Sequence, residues 1–93
     1  METHNDNSMA YFELCGELTG KRLVVGAKQL RKALNSGTAE RVYLAKNADP
    51  AITEPITTLC QLNSVAYSWV RSMTDLGRAC GIEVGAAAAA VVR

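Results

Sequence analysis

The chain has 93 residues and a formal net charge of +1, with 48% hydrophobic and 20% charged residues. That balance excludes a disordered chain and leaves room for one core only. The longest apolar run, Gly85 to Val92, falls well short of the roughly 18–20 residues a membrane-spanning helix needs, and no basic segment followed by an apolar core opens the sequence, so neither a membrane partner nor a secretion signal is expected.

Residues 1–9 are polar and read as a flexible leader before a single domain over 10–93. Tyr11, Leu14, Cys15 and Leu18 recur at helical spacing, which predicts a short amphipathic helix over 10–18, ended by Thr19-Gly20. Arg22 to Val25 is a short buried strand, Gly26 turns the chain into a helix running to about Asn35, and Gly37 stands where it can close that helix. A second strand is predicted over 41–46, then a turn at Asn47-Ala48-Asp49-Pro50 and a third helix to about Leu62. Pro55 is expected in its first turn, because a deeper proline loses a hydrogen bond and crowds a carbonyl. A third strand covers 66–70, a short helix covers 73–80 and stops at Gly81, and 82–85 is a loop. Five alanines in 86–92 favour helix by propensity. The run nevertheless follows Gly85 and ends in Val91-Val92, and small side chains suit a central strand covered closely on both faces, so strand is predicted. Strands alternating with helices give a three-layer α/β/α sandwich around a four-stranded mixed sheet.

Charge is unevenly spread. Between Lys21 and Lys46 lie seven basic residues and one acid, Glu40, whereas the rest of the chain holds three basic residues and eight acids. The basic segment is therefore a candidate anion-binding surface, against the alternative of a merely solvated face. Within it, Lys28, Arg31, Lys32 and Asn35 fall on one side of the helix that starts after Gly26, opposite Ala27, Leu30, Ala33 and Leu34. Cations at a helix start oppose the helix dipole, and an anion docked there gains from the dipole, the free N–H groups and the lysines together. Gly26 allows close approach of a partner, and Gln29 offers an amide able to read a base edge. One glycine makes no mononucleotide-binding loop. Farther on, Ile82 and Val84 lie in a loop between glycines, exposed to meet an unstacked base or folded back into the core.

These segments carry a resemblance. Val25-Gly26-Ala27-Lys28-Gln29 with Lys32, then Ala45-Lys46-Asn47-Ala48-Asp49-Pro50, then Leu76-Gly77-Arg78-Ala79-Cys80-Gly81-Ile82-Glu83-Val84-Gly85-Ala86-Ala87, resemble the ribosomal L7Ae/L30e superfamily of RNA-binding proteins, above all its small bacterial members that bind kink-turn RNA. The resemblance spans about 21–92. It implies an α/β/α sandwich and recognition of a sharply bent duplex built from a bulge and tandem sheared G·A pairs. Residue by residue, it assigns Gly26, Lys28, Gln29 and Lys32 to the G·A pairs and adjacent backbone, Lys46 to a backbone contact, and Ile82, Glu83 and Val84 to the bulge; Ala27 and Arg31, in the same helix start, join the candidate RNA-binding residues. Ala27 stands where a threonine is common, and Thr74-Asp75 where bacterial relatives tend to carry lysines.

The expectation is thus a monomeric, cytoplasmic RNA-binding protein that stabilises kink-turn RNA, with the ribosome a candidate host. The alternative is a protein-interaction or ribonucleoprotein-assembly paralogue of the same fold with weak or lost RNA affinity, which the near-neutral total charge and Asp75 favour. No enzyme, cofactor or metal is expected. His4 lies in the leader, and Cys15, Cys60 and Cys80 lack the spacing of a zinc or redox site and suit reduced thiols. No nucleophile–base pair can be assembled.

Overall fold

A computed structural model describes residues 8–93. The elements in chain order are α1 (Tyr11–Leu18), β1 (Arg22–Val25), α2 (Ala27–Ser36), β2 (Ala39–Ala45), α3 (Pro50–Leu62), β3 (Tyr67–Val70), α4 (Met73–Ala79) and β4 (Ala88–Val92). The strands form one sheet in the order β1-β4-β2-β3, with β4 antiparallel to both its neighbours and β2 parallel to β3. Residues 1–7 of the expected leader lie outside the described residues. Met9 makes a parallel bridge to Val70 and donates its N–H to the Trp69 carbonyl at 2.7 Å, so the sheet margin takes in this residue.

The alanine run is the strand at the centre. Ala88, Ala89 and Ala90 are fully buried. Ala88 and Ala90 turn to a layer built from Leu30, Ala33 and Leu34 of α2 with Ile56 and Cys60 of α3, while Ala89 and Val91 turn to Leu14, Leu18 and Leu76 of α1 and α4. Strand alternation thus gives β4 two buried faces, and methyl side chains are what both helical layers can close over. Packing on both sides overrides the helix propensity of alanine. β2 behaves likewise, with Val42 and Leu44 facing α2 and α3, and Tyr43 and Ala45 facing α1 and α4.

Two departures from expectation have local causes. β2 begins at Ala39, two residues early, because a bulge lets Glu40 slip out of register between Ala39 and Arg41 while Ala39 pairs with Val92. Pro55 stands six residues into α3, in its second turn rather than its first, and the helix continues. Both Pro55 and Ala51, whose carbonyl Pro55 has no N–H to serve, are exposed residues, so water is at hand and the missing bond costs little. Finally α3 starts as expected with Pro50 in its first turn, but under a cap, the Asp49 carboxylate accepting from Ala51 N–H at 2.9 Å.

On the α1 face, the buried Tyr43 hydroxyl donates to Glu17 Oε1 at 2.7 Å, and Glu17 also lies 3.7 Å from Arg41 Nε. Burial, and then the Glu17 hydrogen bond, push the Tyr43 phenol above its ordinary value of 10.0. Burial likewise pushes the Cys60 thiol from 9.0 up to about 11. Both groups hold a proton in the folded chain that the unfolded chain releases, so their contribution is complete below pH about 9 and declines as pH rises beyond it. The melting temperature will therefore fall between pH 9 and 11, by at most about 1.4 kcal/mol of stability per pH unit for each group. Tyr43→Phe will flatten the part of that fall above pH 10. An unchanged slope in the variant would show that Tyr43 titrates as freely folded as unfolded.

Candidate nucleic-acid interface

Parallel and antiparallel pairing bring four connections to one end of the sheet. β1, β2 and β3 all finish there and β4 begins there. Backbone hydrogen bonds tie the connections to one another. Gly26 N–H, at the start of α2, donates to Ala88 O at 2.9 Å, and Ala45 N–H donates to Ala87 O at 2.9 Å. Lys46 N–H donates to Val70 O at 2.8 Å, and Ala86 N–H to Met73 O at 3.0 Å. Asn47 Oδ1 accepts from Met73 N–H at 2.8 Å, fixing the β2–α3 turn to the start of α4. The start of α2 and the loop 81–87 therefore occupy one edge.

At this edge Gly26 has φ 101° and ψ 146°, a conformation essentially reserved for glycine. It launches α2 with no side-chain cap and no acid in the first turn, whereas α3 and α4 are capped by Asp49 and Ser72. The first N–H groups of α2 thus point outward without a side-chain acceptor, at the positive end of the helix dipole. Ala27 is half-buried, while Lys28, Gln29, Arg31 and Lys32 are exposed, because Leu30, Ala33 and Leu34 take the core-facing side. At the other end of the helix Gly37, in the left-handed conformation with φ 76°, closes it as the sequence predicts.

The loop separates its two apolar residues. Ile82 is half-buried against the α1/α4 core layer, its N–H held by Gly77 O at 3.0 Å, while Val84 is 71% exposed. Glu83 between them is exposed. Spacing alone left open whether these residues meet solvent or core, and the answer is one of each. The loop lies so close to α4 that a Cβ on Gly77 would come within 2.1 Å of the Val84 carbonyl oxygen. Exposed Lys46 follows β2 directly at the same end.

Sequence reasoning missed one cation here. Arg71 is exposed and follows the last residue of β3, next to the Val70 carbonyl that receives Lys46 N–H. It lies outside the basic segment 21–46, and only the parallel pairing of β2 with β3 brings it to this edge. Asp75 sits in the first turn of α4, where its charge complements the dipole and its N–H donates to Ser72 Oγ at 3.1 Å. Tyr67 and Trp69 pack edge-on, ring centroids 6.3 Å apart, half-buried against the α2/α3 layer. Among the described residues no three His, Cys, Asp or Glu side chains gather to hold a metal, and no helix is long and apolar enough to cross a membrane.

Residues 13–93 match the profile of the Ribosomal protein L7Ae/L30e/S12e/Gadd45 family. Among curated proteins the chain is 47% identical over 70 residues to an RNA-binding protein of Bacillus pumilus, covering 75% of this chain and 85% of that one. It is 42% identical over 76 residues to the RNA-binding protein YbxF of Geobacillus stearothermophilus, covering 82% and 93% respectively. Among solved structures it is similar to the 15.5kD RNA binding protein of Giardia lamblia, with a TM-score of 0.77 and 30% identity, covering 86% of this chain and 68% of that one.

Proposed function

The chain belongs to the Ribosomal protein L7Ae/L30e/S12e/Gadd45 family, and on that footing we propose that it is an RNA-binding protein whose α2 start and 81–87 loop together recognise kink-turn RNA. The observation that carries this reading is the arrival of those two stretches, far apart in sequence, at one end of the sheet, where Gly26 N–H bonds to the carbonyl of Ala88, the residue that follows the loop. Its relatives in Bacillus and Geobacillus bear the name RNA-binding protein.

The mechanism is selection of one RNA shape. Free RNA exchanges between open and bent forms, and a protein that contacts only the bent form shifts the population by its differential affinity. Lys28, Lys32 and Lys46 offset the crowding of phosphates where two stems converge. Gln29 and Lys28 supply contacts to base edges, the uncapped N–H groups of α2 donate to an anionic or carbonyl oxygen, and Val84 covers a splayed base. Ile82, packed on the α1/α4 layer, anchors the loop that presents Val84. The three thiols are suited to a reducing compartment, so the RNA is sought in the cytoplasm, with the ribosome as one candidate host.

Titration of a fluorescently labelled kink-turn oligonucleotide, beside the same RNA with its G·A pairs replaced by Watson–Crick pairs, tests the reading. The expected result is a preference of about 10³-fold or more for the kink-turn. Equal affinity for the two RNAs overturns it.

A further inference from the structure

The exposed side of α2 continues away from the proposed kink-turn edge into a groove. Its floor is Val24 of β1 and Val92 of β4, and its walls carry Arg22, Gln29, Lys32 and Arg93. No Asp or Glu lines it among the described residues. Two of its cations are held in place by backbone: Arg22 Nη1 donates to the Arg93 carbonyl at 3.2 Å, and Arg93 Nη1 donates to the Gly37 carbonyl. Each guanidinium has five N–H donors, so these contacts orient the fork and leave donors turned outward. Arg22 and Arg93 stand at the far end of the sheet from Gly26, because Arg22 pairs with Val92 while Val25 pairs with Ala89. Gln29 and Lys32 belong to both regions, so the groove is continuous with the site described above.

We propose that this groove holds the phosphate strand of one of the two stems that flank the kink, extending the interface from Lys28 to Arg93. The proposal rests on the kink-turn reading and adds to it which part of a longer RNA the chain touches. The length fits: β1 spans about 13 Å at about 3.3 Å per residue, enough for a short run of phosphates along one strand. The chemistry fits as well, since planar, pre-oriented guanidiniums match phosphate oxygens and the shallow floor carries nothing that reads a base.

The test measures affinity against salt for kink-turn RNAs in which each stem in turn is lengthened by about eight base pairs, well beyond the reach of the groove. Lengthening one stem is expected to raise wild-type affinity and steepen its salt dependence. Arg22→Gln and Arg93→Gln will each remove about 0.9 from the slope of log affinity against log salt, equivalent to about eightfold at 0.1 M salt when extrapolated from 1 M. Neither variant will change binding of the short-stem RNA. Arg22→Lys will restore the slope, since a point charge suffices for a phosphate, and it guards against a merely structural effect at Arg22; melting curves monitor the fold of all variants. A wild-type chain indifferent to stem length, or variants that weaken short- and long-stem RNA equally, overturns the groove while leaving the kink-turn reading intact. A wild-type chain that ignores the G·A pairs overturns the kink-turn reading, and the groove with it.

Discussion

Replacing Gly77 by alanine will destabilise the protein by about 1–3 kcal/mol and weaken its binding of kink-turn RNA, though the residue touches neither the basic helix nor solvent. Gly77 is buried within α4. A Cβ there would lie 2.1 Å from Val84 O and 3.1 Å from Gly85 Cα, both backbone atoms that cannot rotate away. The loop must move, and with it Val84 and the Ala86 and Ala87 backbone that links α4 to β2. Two effects oppose one another in this substitution. Alanine in a helix is favoured over glycine by about 0.5–1 kcal/mol, whereas overpacking against backbone costs more. The sign of the change in melting temperature therefore decides the matter, and a rise would show that the loop stands farther from α4 than described. Hydrogen exchange over 82–87 should speed up in the variant while that of β2 stays slow.

Removing Lys28 and Gln29 together should leave stability within about 0.5 kcal/mol, since both are exposed, yet weaken kink-turn binding by about 1–3 kcal/mol for each residue that meets a base. The two effects separate by kind. Gln29→Ala will erode the preference for G·A pairs over Watson–Crick pairs with little change in salt dependence. Lys28→Ala, where it meets a phosphate, will weaken all RNAs and reduce the salt slope by about 1. Titrating both RNAs at two salt concentrations distinguishes these outcomes. Unaltered affinity in the double variant would remove the start of α2 from the interface.

Much of this architecture is visible in one sequence because local rules agree with the fold. β1 is a short strand with three apolar residues after Arg22, half-buried rather than buried because it lies at the sheet margin, and α2 carries a clean apolar stripe ended by Gly37. Position 86–92 was the conflict, alanine propensity pointing to helix and context to strand, and burial on both faces decides for strand. What escapes the sequence is tertiary in origin. Nothing near Glu40 announces a bulge, since the bulge answers the register of Val92 and Val91 across the sheet. Pro55 is tolerated because its side of α3 is solvated, a fact of packing. Which of Ile82 and Val84 faces water depends on how tightly Gly77 lets the loop descend. Arg71 joins the cations only because β3 runs parallel to β2.

The position of β4 also bears on how the molecule is made. The fourth strand in chain order occupies an inner slot of the sheet, between the first and second. Until Ala88–Val92 emerge during translation, β1 and β2 have no partner between them, and the hydrogen bonds from Gly26 and Ala45 have no acceptors. Long-separation pairing of this kind slows acquisition of the native topology relative to a helical bundle of equal size. A nascent chain halted before Ala86 should accordingly be protease-sensitive throughout and unable to engage RNA, and both properties should appear together once the fourth strand has been delivered.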